Sequence, residues 1–196
     1  MSRILLSTTT EGLDLVPSNI LLSGVESELF GQYGREYVLR QRLEGLDGKY
    51  DICVIDCSPS LSILTLNALV ASTDVIIPVQ THYYAIEGLK QLLETVDVVK
   101  SRFNAELKML GVLLTLVESR TLLSREVQRQ MKEFFGELVF DTVIHRNIRL
   151  AEAPSAGESV LTYDPKSRGA QEYPALVNEI NNEEKSRTPQ ADFVNI

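Results

Sequence analysis

The sequence is poor in cysteine, in histidine and in long apolar runs. Its two cysteines, Cys53 and Cys57, lie four residues apart in a stretch read below as a strand. At about 3.3 Å per residue they are roughly 13 Å apart, too far to bridge. No further cysteine completes a zinc set, and the pair is expected as buried, reduced thiols. The two histidines, His82 and His145, stand far apart with no third ligand at suitable spacing, so neither makes a convincing metal site. Aromatic packing over a helix start is the expected role of His82, Tyr83 and Tyr84. The longest apolar runs are strand-sized and the N-terminus has no secretory pattern, which makes the cytoplasm the expected compartment. There is no G-x-S-x-G elbow for serine hydrolysis. The Gly48-Lys49 pair is followed by Tyr50, with no glycine five residues ahead, so it is a turn before a strand and not a phosphate loop. A net charge of −8 excludes a chain that is basic all over. It leaves open a local arginine patch, because affinity for nucleic acid follows the phosphate contacts and not the total charge.

What is present is an ordinary globular composition. With 196 residues, 44% hydrophobic and 23% charged, the chain is expected to form one domain over residues 1–180. The polar stretch 181–196 is expected to be a disordered tail. Residues 12–19 read as a strand closing in a turn, and 26–46 as a helical region interrupted by Gly31 and Gly34. The next expected elements are a strand ending at Asp56, a helix over 62–71, and a strand over 73–80 with Pro78 near its end. Leu89, Leu92, Leu93, Val96 and Val99 recur at helical spacing within 85–103. A strand over 107–117, a helix over 122–135, strands over 137–144 and 160–163, and a last helix over 167–180 complete the order. Strands alternating with helices predict an α/β fold with a parallel sheet and right-handed crossovers. Asp164 or Ser167 is expected to cap the last helix, and Glu152 to be a solvated or capping carboxylate.

The stretch YDICVIDCSPSL carries the clearest chemistry. Ile52 to Ile55 and Cys57 run without polar alternation, as in a strand buried on both faces. Asp56 falls at its carboxyl end, where open α/β sheets gather ligands. A carboxylate there can hold Mg²⁺ through a bound water, as in the second acidic motif of phosphate-loop hydrolases. The alternative is a terminal aspartate that caps the following turn.

The ordered segments LVPSNILLSG, YDICVIDCSPSL, NAL, VIIPVQTHYYAIEGLKQLLETV, GVLLT, SRT and TVIHRNIRLAEAPSAGESVLTYDPKSRGAQEY resemble the ParA/Soj chromosome- and plasmid-partition ATPases. These are a branch of the deviant P-loop NTPases that also includes MinD, and the similarity runs from about Gly12 to Ile180. The resemblance implies a three-layer fold, a parallel sheet flanked by helices. It implies an Mg²⁺-site and hydrolysis role for Asp56, with the metal held through a bound water, and a switch-like loop at Ser58, Pro59 and Ser60. Relatives read Cys-Pro-Pro-Ser there, so Ser58 departs from the pattern. It places Asn147 beside the adenine, and Arg120 and Arg149 against nonspecific DNA. His145 stands where the usual residue is proline. For the complete family form the implied cofactors are ATP and Mg²⁺. Its partners are a second protomer, DNA and a ParB-like protein that stimulates hydrolysis, and its place is the cytoplasm, on the nucleoid. The polar end of the chain has no basic amphipathic helix of the MinD type, so no membrane partner is expected.

The family opens with a strand, a glycine-rich phosphate loop with its lysines, and a second strand ending in an acidic motif. None of these is among the 196 residues, and without them the chain alone is expected to turn over no ATP. The Asp56 strand would then lose its neighbour and expose ladder groups. The expectation is a truncated chain. A second polypeptide supplying the missing half and a substitute strand from MSRILLSTTT are the other accounts. The corresponding functions are a partition ATPase lacking its phosphate loop, or a non-catalytic remnant that keeps its DNA or partner contacts.

Overall fold

The computed structural model describes residues 4–58, 60–82 and 85–186. The chain divides into two compact units, Met1–Val75 with Leu93–Lys108, and Ile76–Leu92 with Met109–Ile196.

The first unit opens with a small hairpin. Strand β1 (Leu6–Ser7) pairs antiparallel with β2 (Asp14–Leu15), Leu6 opposite Leu15. The Thr8 hydroxyl donates to the Leu13 carbonyl at 2.8 Å, closing the turn. The strand expected over 12–19 is thus two residues long, because it stops short of Pro17, which has no N–H to give. Helices α1 (Val25–Leu29) and α2 (Val38–Leu43) follow. They are separate because Gly31 and Gly34 take positive φ, at 82° and 71°, as the expected interruption required. Helix α3 (Ile63–Ala71) begins at Ser62, whose hydroxyl accepts the Leu64 N–H at 3.2 Å.

The stretch before α3 corrects the expectation made for it. Residues 50–58 form no strand among the described residues, and Ile52 and Val54 are 80% and 87% exposed. An apolar strand needs ladder partners and covering faces, and the described residues supply neither. Among the described N-terminal residues, Leu6 and Ser7 pair with β2 and not with the 50–58 stretch. Cys53 and Cys57 are accordingly free and exposed, not buried.

Strand β3 (Asp74–Gln80) and helix α4 (Ala85–Arg102) match the expected spans within a residue or two. Leu89, Val96 and Val99 of α4 are buried, as their spacing predicts. Strand β4 (Lys108–Thr115) pairs with β3. The Lys108 N–H donates to Thr73 O at 2.9 Å and the Thr81 N–H to Thr115 O at 3.3 Å, so the two strands run parallel. In the second unit Ile77 and Val79 are buried while Ile76, Pro78 and Gln80 are exposed, so β3 has one covered face.

Helix α5 (Leu122–Phe135) starts at Thr121, whose Oγ1 accepts the Ser124 N–H, and buries Val127 and Met131. The strand expected over 137–144 is replaced by a 3-10 turn (Gly136–Leu138) and isolated parallel bridges, Val112 to Val139 and Val117 to His145. The backbone still follows β4: the Phe140 N–H donates to Val112 O at 3.1 Å and the Ile144 N–H to Leu114 O at 2.9 Å. Between them the Glu179 carboxylate takes the N–H groups of Asp141 and Thr142, at 2.6 and 2.8 Å, which breaks the ladder.

Three helices close the chain: α6 (Ile148–Glu152), α7 (Val160–Tyr163) and α8 (Arg168–Ser186). Residues 160–163 were expected as a strand. They form a helical turn because the Ser159 hydroxyl accepts the Leu161 N–H at 3.1 Å. Ser167, one of the two caps expected for α8, accepts the Ala170 N–H at 3.3 Å. Helix α8 continues to Ser186, past the end expected at 180. Leu110, Leu113, Phe140, Ile144 and Leu176 form one core cluster, and Ala153, Val160 and Ala170 a smaller one. No described helix is long and apolar enough to cross a membrane.

Candidate functional site

Asp56 lies in the first unit, exposed near the end of the irregular stretch 50–58. The carboxylate also acts on its neighbour: although the Cys57 residue is exposed, partial desolvation of its thiol first, and then the Asp56 charge, push the thiol above its ordinary value. The turn that follows is held by hydroxyls. Ser58 Oγ and Ser60 Oγ are 2.8 Å apart, and Thr65 of α3 donates to the Ser60 carbonyl at 2.6 Å. Pro59, the middle residue of the expected switch loop, lies outside the described residues. Ser60 is therefore tied to the first turns of α3, while Asp56 stays open to solvent.

The family's Mg²⁺ and ATP would call on these groups. Asp56 offers one exposed carboxylate, which suits a hard cation bound through water. Among the described residues no three metal-ligating side chains gather. Gly48 has φ +72° and the Lys49 N–H returns to Leu46 O at 3.0 Å, which is a tight turn and not a cradle. The residues described do not by themselves fit the whole group.

In the second unit Asn147, Arg149 and Arg120 are all at the surface or partly covered. Asn147 caps α6, its Oδ1 accepting the Arg149 N–H at 2.9 Å. The Arg149 guanidinium reaches Glu152 at 2.7 Å and Asp164 at 3.2 Å. The Glu152 hydrogen bond, then the two carboxylate charges, hold it above its ordinary pKa. Glu152 and Asp164, expected as solvated or capping groups, are thus both partners of Arg149. Arg120 is exposed and makes no ion pair among the described residues. Arg146, which the sequence reading passed over, pairs with Glu118 at 2.8 Å.

His145, not expected as a metal ligand, is buried and bonded through both ring nitrogens. Its partner Glu172 lies 27 residues on, a distance at which no local spacing rule gives a signal. His82 shares a 3.1 Å contact with Gln80 Oε1. It borders a cleft of about 320 Å³ lined by Ile77, Val79, Gly88 and Leu89, with no lysine or arginine on its walls. Tyr83 and Tyr84, expected to pack beside it, lie outside the described residues.

A family model described as an AAA domain matches residues 1–109. The chain is 49% identical over 177 residues to the sporulation initiation inhibitor protein Soj of Bacillus subtilis, covering 90% of this chain and 70% of Soj. The chromosome partitioning protein ParA of Myxococcus xanthus is 42% identical over 190 residues, covering 97% of this chain and 67% of ParA. The chain belongs to the ParA/Soj family of P-loop NTPases. Among solved structures it is similar to cobyrinic acid a,c-diamide synthase from Mycobacterium smegmatis, crystallised with an ATP analog and magnesium. That likeness has a TM-score of 0.79 at 38% identity and covers 98% of this chain and 71% of that one. The α/β fold with a parallel sheet and flanking helices is thus the ParA/Soj fold, and the family resemblance seen in the motifs is borne out.

Proposed function

We propose that this ParA/Soj family chain serves in partitioning DNA, as part of an ATP-dependent switch. The observation that carries the reading is the 49% identity to Soj over 90% of the chain. On this reading Asp56 would be the residue that holds Mg²⁺, an ion that would supply the charge neutralisation ATP hydrolysis needs, and Ser58, Pro59 and Ser60 would form the loop that responds to it. Asn147 borders the adenine. Arg120 and Arg149 meet DNA phosphates, for which a planar guanidinium fork is well suited. The partners are DNA of any sequence, a second copy of the chain, and a ParB-like protein that stimulates hydrolysis on the nucleoid.

One observation favours a second reading, a DNA- or partner-binding module that uses no nucleotide. The described residues do not by themselves fit Mg²⁺ and ATP, and the Asp56 stretch is exposed. Calorimetric titration of Mg²⁺-ATP into the folded 196-residue chain separates the two. Heat of binding that disappears in Asp56→Ala supports the switch within these residues. Its absence, together with duplex binding that needs no ATP and falls in Arg120→Ala, supports the module.

A further inference from the structure

The His145 side chain is buried where the backbone beside β4, the turn after β4 and helix α8 meet, and it is used from every side. Its Nδ1 lies 2.6 Å from Oε1 of Glu172, and its backbone N–H donates to Oε2 of the same carboxylate at 2.9 Å. Its Nε2 lies 2.8 Å from Nη2 of Arg168 and 2.9 Å from the Ser119 hydroxyl. A guanidinium has no acceptor, so Arg168 donates and Nε2 carries the lone pair. The ring proton is therefore on Nδ1, given to Glu172, whose Oε1 also takes Nε of Arg168 at 2.7 Å. The imidazole is held in one tautomer by groups from α8.

The other end of this arrangement is the turn after β4. The Val117 N–H donates to Ile144 O and the Arg146 N–H to Val117 O, both at 3.1 Å. Arg146 reaches Glu118 at 2.8 Å. Beyond these, the contact between the His145 ring and the Ser119 hydroxyl is a further tie on the turn, and the next residue is the exposed Arg120. The turn itself is closed by the Thr121 N–H to Glu118 O, at 3.0 Å, and by the Glu118 N–H to Ser124 Oγ, at 3.1 Å.

We propose that His145 is a positioning residue: oriented by Glu172 and Arg168, it anchors Ser119 and so sets how the turn presents Arg120. The link to the turn is a statement about this fold alone. Only its consequence for DNA rests on the reading of Arg120 given above.

The test is amide hydrogen exchange by NMR on the full chain, read at Glu118 and Thr121. Losing one hydrogen bond that holds a local turn should speed local opening by on the order of tenfold. That increase is expected in Ser119→Ala and in His145→Phe, with the amides of α5 and of Val112 unchanged. In His145→Gln the side-chain oxygen can accept from Ser119 and Arg168, and exchange should return towards the original rate. The ring ¹⁵N shifts should place the proton on Nδ1. Unchanged exchange in Ser119→Ala, which removes only an exposed hydroxyl and spares the buried ring, overturns the proposal; so does a ring proton on Nε2. The DNA arm uses fluorescence anisotropy with a mixed-sequence duplex. His145→Phe should weaken binding in the original chain and add nothing in the Arg120→Ala background. Faster exchange with unaltered duplex affinity supports the positioning role and counts against Arg120 as a DNA contact, so the two ideas fail separately.

Discussion

Asn67, buried in α3, donates through Nδ2 to the backbone carbonyl of Arg35 at 2.8 Å. The same side chain takes the Leu39 N–H on Oδ1 at 3.0 Å and gives its second amide proton to Ile63 O at 2.9 Å. One residue thus satisfies the backbone at the start of α2 and fixes it on α3. Both groups are partly covered where the helices pack, which is why a polar residue is buried at this position of α3. In Asn67→Ala the Leu39 N–H and the Arg35 carbonyl lose their partner. The expected cost is about 2–4 kcal/mol, read as a lower urea midpoint with an unchanged slope. Asn67→Asp should be at least as damaging, since it turns an oxygen towards the Arg35 carbonyl.

Gly111 and Phe140 set a second limit. A Cβ on Gly111 would lie 2.6 Å from the Phe140 ring, and Phe140 is fully buried in the core cluster of the second unit. The glycine is therefore required by close packing and not by its backbone angles. Gly111→Ala should destabilise by about 1–3 kcal/mol through overpacking. Pairing it with Phe140→Leu should recover part of that loss, because the smaller side chain vacates the ring position. Thermal unfolding of the two single variants and the double variant measures the coupling.

The helices α3, α4 and α5 were legible because their signals are local, as in the Leu89, Val96 and Val99 stripe of α4. The misread elements depend on partners distant in sequence. Nothing near Val139 announces that Glu179 will capture the Asp141 and Thr142 amides. Residues 160–163 have the β-branched and aromatic character of a strand, yet they close a helical turn on the Ser159 carbonyl, capped by the Ser159 hydroxyl. The stretch ending at Asp56 has the composition of a central strand, and composition cannot supply the neighbouring strands it calls for. At the candidate site, Asp56, Asn147, Arg120 and Arg149 were named from motifs. The carboxylates facing Arg149 and the bonds to His145 emerged only with the fold.

Those carboxylates separate the two candidate DNA arginines. Arg120 can meet a phosphate without giving up an ion pair among the described residues, whereas Arg149 must first leave Glu152 and Asp164. Exposed pairs of that kind are individually weak, but they offset part of what a phosphate contact gains. Arg120→Ala should therefore weaken duplex binding by roughly tenfold and reduce the salt slope by about 1. Arg149→Ala should cost only a few-fold. Glu152→Gln should strengthen binding by freeing Arg149. Anisotropy titrations across a series of salt concentrations measure all three.

Asp14 and Tyr50 join the hairpin to the stretch leading to Asp56 through a 2.6 Å hydrogen bond, with the phenol as donor. The bond favours the ionised carboxylate and the neutral phenol. It holds Asp14 below its ordinary pKa, with Ser7 assisting, and Tyr50 above its own. The signs follow from linkage. The Asp14 contribution is present above the ordinary carboxylate pKa of 3.8 and is lost as pH falls through the depressed folded value. The Tyr50 contribution is present below the ordinary phenol pKa of 10.0 and is lost as pH rises through the raised folded value. The hairpin should thus stay docked across the neutral range and release at both extremes. In Tyr50→Phe the Asp14 carboxyl should titrate closer to its ordinary pKa, and the alkaline release should vanish while the fold is kept. Carbon-detected NMR titration of Asp14, alongside amide exchange of Leu13, which donates to Thr10 O at 3.2 Å, follows both limbs. An Asp14 titration that is the same in Tyr50→Phe would show that the phenol does not hold the hairpin.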